Sequence, residues 1–173
     1  MGPQGVKRFE QVVLPHLDAA YSLARYLVRD EHDAEDLVQD AYLRALRYFE
    51  SYRGGDERAW LLTIVRRTCY SWLKRHRAGP APAPFDETEH AAEAGGDPET
   101  HAVHDNLRDL LSRAVDDLPI EFREVVVLRD VQDLSYKEIA GVLGIPLGTV
   151  MSRLARARRR LQSALPVEDF GRA

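Results

Sequence analysis

The sequence is poor in cysteine: Cys69 is the only one among 173 residues. This excludes an intramolecular disulfide and any zinc or iron–sulfur centre built on several thiolates of one chain. No apolar run approaches the roughly 20 residues that a membrane-spanning helix needs. The first five residues, Met1 to Gly5, lack the charged-then-apolar pattern of a secretion signal. A cytoplasmic protein without membrane insertion is expected. Catalytic signatures are missing too, since there is no phosphate-binding glycine loop, no nucleophile elbow and no metal-binding histidine pair on a helix. His101 and His104 stand in an acidic stretch without a third ligand, so no metal and no cofactor is expected. Cys69, between Val65 and Trp72 on an apolar helix face, reads as a small core residue rather than a nucleophile.

What is present is a globular composition with 45% hydrophobic and 30% charged residues, and a net charge of −4. That sum hides a segregation. Residues 1–77 carry 13 basic and 11 acidic groups, 78–105 carry seven acids and no base, and 106–173 carry 11 bases and 10 acids. The stretch 78–105 also holds Pro80, Pro82, Pro84 and Pro98 and has no apolar periodicity. It reads as a flexible, Pro- and acid-rich linker between a first domain at 6–77 and a second at 106–166. Neither flank shows the alternation of a strand, so an all-α protein of two small helical domains is expected.

Helical periodicity subdivides both. In the first domain, Phe9, Val12 and Val13 mark a helix that stops at Pro15, and Leu17, Tyr21, Ala24 and Val28 mark the next, with Pro15 in its first turn. A third is expected to start at Asp33, with Leu37, Val38, Ala41, Ala45 and Phe49 on one side and Asp36, Gln39, Asp40 and Arg44 on the other. Beyond the turn at Tyr52–Asp56, a helix to about His76 buries Trp60, Leu61, Ile64, Val65, Thr68 and Trp72. In the second domain, Leu107, Leu110, Leu111, Ala114 and Leu118 lead to a stop near Pro119, and Phe122, Val125, Val126 and Leu128 form a second helix. Ser135 and Glu138 form a capping-box pattern, and Gly144-Ile145-Pro146 turns the chain into a last helix over roughly 147–165.

These last two helices have helix–turn–helix logic. Val150 and Leu154 anchor the second to the core, which leaves Met151, Ser152, Ala155 and Arg156 outward. The same helix carries Arg153, Arg156, Arg158, Arg159 and Arg160 and no acid, which suits a DNA groove. In the first domain, Arg66, Arg67, Tyr70, Lys74 and Arg77 recur at helical steps near Phe49 and Tyr52, combining cations for phosphate with rings for an unstacked base. Asp36, Gln39 and Asp40 form either a solvated helix surface or a docking surface for a basic partner.

Three segments taken in order, Asp33-Ala34-Glu35-Asp36-Leu37-Val38-Gln39-Asp40, Arg58-Ala59-Trp60-Leu61 and the helix–turn–helix, resemble an extracytoplasmic-function (ECF) RNA polymerase sigma factor. The resemblance implies a protein that recruits core RNA polymerase to promoter DNA and helps to open the strands. It assigns Asp36, Gln39 and Asp40 to polymerase binding. Phe49, Tyr52, Arg66, Arg67, Tyr70 and Lys74 fall to the minus-ten element. Thr149, Met151, Ser152, Arg153, Arg156, Arg158 and Arg159 fall to the minus-thirty-five element, with Arg153, Arg158 and Arg159 on phosphates. It further implies an anti-sigma partner and a linker that threads the basic RNA channel of the polymerase. Two residues depart from the family's pattern: Arg67 stands where Asn is frequent, and Ser71 where Asp is frequent. A stand-alone helix–turn–helix regulator that binds operator DNA as a dimer is the alternative, and a nucleic-acid-processing enzyme is a weaker one.

Overall fold

The computed structural model describes residues 1–76 and 103–165, and of 103–105 the backbone alone. The expected linker, apart from its last three residues, lies outside that description, as do His101 and the side chain of His104. The described residues form eight α-helices and no strand.

Helix α1 (Pro3–Val13) buries Phe9, Val12 and Val13. Pro15 has no N–H to continue it. It occupies a single 3₁₀ turn, Leu14–His16, one turn before α2 (Leu17–Val28) rather than inside it. Helix α3 (Glu31–Tyr48) begins ahead of the expected Asp33 because Asp30 is the cap, its carboxylate accepting the Asp33 N–H at 2.9 Å. Glu31 and Asp33 then fall in the first turn, where negative charge is favoured. A 3₁₀ turn at Phe49–Ser51 and two glycines, Gly54 and Gly55 at φ 88° and 106°, lead into α4 (Glu57–His76). Only glycine adopts that backbone at low cost. Asp56 caps α4 by accepting the Ala59 N–H at 2.9 Å.

The second domain consists of α5 (Val103–Asp116), α6 (Ile120–Val126), α7 (Tyr136–Leu143) and α8 (Leu147–Ala164). Helix α5 thus starts inside the stretch read as linker. Its exposed Leu111 yields the core position to Val115. Helix α6 continues as a wide π-type turn, Val127–Val131. The capping box is present: Glu138 N–H donates to Ser135 Oγ at 3.1 Å, and Ser135 N–H donates to Glu138 Oε2 at 2.6 Å. Gly144, at φ 65°, turns the chain so that α7 and α8 meet at 102°, a helix–turn–helix angle.

The two domains do not stand apart. Helix α2 packs on α6 and its π-type turn, and α4 packs on α7. The buried apolar side chains from Phe9 to Ala157 form one continuous cluster.

Candidate nucleic-acid interface

The helix–turn–helix presents α8 much as its sequence requires. Val150 and Leu154 are buried, and Met151 and Ala155 are exposed. Ser152 and Arg156 lie half-buried between them, with the Ser152 hydroxyl donating to the Thr149 carbonyl at 3.1 Å. The arginines differ in their surroundings. Arg159 is exposed. Arg158 is paired with Asp130 at 2.7 Å, and the Arg160 guanidinium sits 5.2 Å from the centre of the Phe122 ring. Arg153 is half-buried, its Nε enclosed, and its charge acts on Glu124 of α6.

Helix α4 divides its cations between two faces. Residues 66 and 67 lie about 100° apart around a helix of 3.6 residues per turn, whereas 66 and 70 nearly coincide. Arg66 and Tyr70 turn toward the second domain. Arg66 donates through Nε to Glu124 Oε2 at 2.8 Å and through Nη2 to Oε1 at 3.2 Å, and Tyr70 O–H donates to Oε2 at 3.0 Å. The guanidinium also lies 4.4 Å from the centre of the Tyr70 ring. Glu124 is fully buried. Burial pushes its carboxyl above the ordinary range against the pull of Arg66 and Tyr70. Burial opposes charge on Arg66, but the Glu124 carboxylate outweighs it and holds the guanidinium above its usual value. Burial, and then Glu124, pushes the Tyr70 hydroxyl up, so it remains a donor. The two-pronged contact orients the guanidinium and the carboxylate on one another.

Arg67 faces elsewhere. It is exposed and lines a groove of about 370 Å³ between α3 and α4, with Arg44, Tyr48, Ser51, Trp60, Thr63, Ile64 and Thr68. None of these residues is acidic, and Tyr48 is 62% exposed. Phe49, assigned to DNA by resemblance, is instead a core residue at 6% exposure, edge-on to Phe9 with ring centres 5.3 Å apart. Tyr52 is wedged between Phe49 and Trp60, with centroids at 5.8 and 4.9 Å, and its hydroxyl donates to the Gly55 carbonyl. The exposed ring in this region is therefore Tyr48, which the sequence reading passed over. Lys74 and Ser71 are exposed farther along α4.

On the outer face of α3, Asp36, Gln39 and Asp40 are all exposed, with His32 Nε2 3.8 Å from Asp36. Leu43, 52% exposed, continues the same stripe one turn on. An exposed leucine three residues after Asp40 was a signal in the sequence that charge patterning alone did not use.

The sequence reading also missed Arg123 and Glu124, which are both buried between the domains. Arg123 donates to the carbonyls of Tyr26 at 2.9 Å and Leu118 at 2.8 Å. Burial, with Arg29 adding to it, lowers its pKa to about 10, so it stays charged at neutral pH. Arg29 donates to the Asp116 carbonyl. At the rim, Arg58 donates to the Gln132 carbonyl at 2.8 Å, and the Gln132 amide donates to that of Ala19 at 3.2 Å. The only trace of this in the sequence is two opposite charges inside the apolar run of α6. Cys69 is buried as expected, and desolvation pushes its thiol up to about 12. Among the described residues no group of side chains could hold a metal ion, and no single helix is long and apolar enough to cross a membrane.

The models of Sigma-70 region 2 and Sigma-70 region 4 match residues 12–79 and 108–161. The ECF RNA polymerase sigma factor SigE of Mycolicibacterium smegmatis is 38% identical over 160 residues, which is 91% of this chain and 61% of that protein. The ECF RNA polymerase sigma-E factor of Escherichia coli K12 is 32% identical over 166 residues, 91% of this chain and 86% of its own. Among solved structures, the sigma factor RpoE of Bartonella quintana, in complex with the anti-sigma factor NepR, superposes with a TM-score of 0.71. It is 33% identical, over 94% of this chain and 99% of that one. CnrH, in complex with the cytosolic domain of CnrY, gives 0.64 at 27% identity, over 91% and 86%. Two helical domains, a helix–turn–helix in the second and these matches along the length of both place the chain in the extracytoplasmic-function family of RNA polymerase sigma factors.

Proposed function

We propose that this sigma factor docks on core RNA polymerase through Asp36, Gln39 and Asp40, with Leu43 adding an apolar contact to the charged ones. The observation that carries the reading of the minus-ten element is the groove between α3 and α4: two guanidinium groups, a half-exposed aromatic wall and no acid. A base pulled from the duplex stacks on Tyr48 beside Trp60, while Arg44 and Arg67 hold its phosphates. Unpairing costs a few kcal/mol, which stacking and cationic contacts offset. Arg66 and Tyr70, on the face of α4 turned away from the groove, and Lys74 farther along the helix supply further contacts to the minus-ten DNA. Met151, Ser152 and Arg156 read base edges of the minus-thirty-five element, Thr149 supports the start of α8, and Arg153, Arg158 and Arg159 act on phosphates. The chain makes and breaks no covalent bond. It works in the cytoplasm, where polymerase and promoter are, and an anti-sigma protein holds it in reserve, a reading supported by the complex of the relative RpoE with the anti-sigma factor NepR.

Run-off transcription with purified core polymerase and a library of promoter fragments tests this. Sequence-selective initiation that depends on both this chain and core polymerase is expected, and it should fall in the Tyr48→Ala variant. Tight sequence-specific binding of duplex DNA by the isolated chain as a dimer, without initiation, would overturn it.

A further inference from the structure

We propose that Leu147, Met151 and Ala155 select thymine in the minus-thirty-five element by covering the 5-methyl groups of its bases in the major groove. The proposal rests on the reading of α8 as the helix that enters that element. Three observations support it. The first is which side chains stand outermost. Positions four apart nearly coincide around a helix, so 147, 151 and 155 form one stripe at the start of α8. Leu147 is 48% and Met151 51% exposed, and Ala155 is exposed beyond them. Gly148 adds no side chain between the first two, and a Cβ there would meet nothing within 4 Å. The stripe therefore faces solvent without a hydrogen-bonding side chain. Single exposed apolar residues are ordinary, whereas a line of them marks a contact surface.

The second is the placement of the polar side chains. Thr149, Ser152, Arg153 and Arg156 are half-buried to either side of the stripe. The Ser152 hydroxyl uses its proton within the helix, on the Thr149 carbonyl, and the charge of Arg153 acts on Glu124. Exposed cations, Arg158 and Arg159, enter the outer face only after Ala155, and α8 holds no acid. An apolar strip bordered by positive charge is complementary to a surface with an apolar floor and phosphate edges.

The third is the chemistry of the groove floor. Among the groups that base pairs present in the major groove, the thymine 5-methyl is the apolar one, and the rest are hydrogen-bond donors and acceptors. A donor or acceptor covered by Leu147 or Met151 would lose water without gaining a partner. The stripe thus favours thymine at the positions it covers and disfavours the other bases. At about 1.5 Å of rise per residue, 147 to 155 spans about 12 Å, or roughly three to four base steps, so more than one thymine comes within reach. The unbranched Met151 side chain adapts to the methyl it meets.

The test uses the holoenzyme on a promoter selected by run-off from the fragment library. Each thymine of the upstream element, on either strand, is replaced singly by deoxyuridine, which removes the 5-methyl group and keeps the base pair. The expected result is an apparent affinity lower by about fourfold at one or more positions, the effect of one buried methyl group. Met151→Ala should bring that ratio close to one at its position, and Met151→Leu should retain it. Leu147 and Met151 are half-exposed, so their truncation leaves the fold in place, which the melting temperature checks. An upstream element without thymine would overturn the proposal. So would no response at any thymine, or a response that both Met151→Ala and Leu147→Ala preserve. If Arg159→Ala then still weakens every promoter, the thymine reading alone falls; if it has no effect, the assignment of α8 to the upstream element falls too. Weaker binding of core polymerase by Met151→Ala, with the deoxyuridine ratio unchanged, would overturn the proposal in favour of a protein partner on the stripe.

Discussion

Tyr48 and Phe49 are adjacent in sequence and opposite in environment, and replacing each by alanine separates promoter opening from folding. Tyr48 is 62% exposed on the wall of the α3–α4 groove. Truncating it removes little buried surface, so the melting temperature should stay near that of the parent. What is lost is a stacking platform, worth about 1–3 kcal/mol per base, or a 5- to 150-fold weaker open complex. Phe49 is 6% exposed and packs against the rings of Phe9, Tyr52 and Trp60. Its truncation leaves a cavity that costs about 3–5 kcal/mol. At about 2–4 °C per kcal/mol for a chain of this size, that lowers the melting temperature by roughly 6–20 °C. Calorimetry measures the second effect, and permanganate footprinting of the holoenzyme on a promoter found in the library measures the first. Normal opening by Tyr48→Ala, or an equal loss of melting temperature in the two variants, would refute the division between them.

Reversing Asp36 and Asp40 together to arginine should weaken association with core polymerase in a pull-down titration without changing the melting temperature, since charge reversal at an oriented interface costs several kcal/mol. Arg156→Ala should relax preference at one position of the upstream element, by about 1–3 kcal/mol, whereas Arg159→Ala should weaken all sequences alike. Binding across a panel of single-base variants checks both. Arg67→Asn should lower the salt slope of open-complex formation by about 0.7, the value for one phosphate contact on a single strand. Cys69, buried and with its thiol pushed up to about 12, stays protonated at pH 8 and should resist alkylation there until denaturant is added.

The residues that punctuate this chain locally were readable in the sequence. Ser135 with Glu138, Gly144 and the apolar spacing of Val150 and Leu154 gave the helix–turn–helix its boundaries, because each acts within a few residues of itself. The periodicity Leu37, Ala41, Ala45, Phe49 likewise placed Phe49 on the buried side of α3. The resemblance to a family pointed the other way, and the spacing prevailed. Arg67 illustrates the reverse difficulty: charge counting grouped it with Arg66, although one residue of helix turns it into a different groove. The Arg123–Glu124 pair was illegible for another reason. Its partners in the first domain lie 54 to 97 residues away, and no local pattern distinguishes a charge that will meet water from one that will meet another domain.

The continuous core across both domains also governs how the chain melts. While α2 rests on α6 and α4 on α7, neither set of helices can lose its packing without stripping apolar cover from the other, so heat should unfold the closed chain in a single cooperative step. Once the domains part, each is a bundle of fewer than 80 described residues with a small core of its own, and the transition should divide into two at lower temperatures. A protein that binds only the closed arrangement raises the single transition by mass action, and one that binds only the parted arrangement abolishes it. The number of steps in a thermogram is thus a direct readout of which arrangement a partner selects.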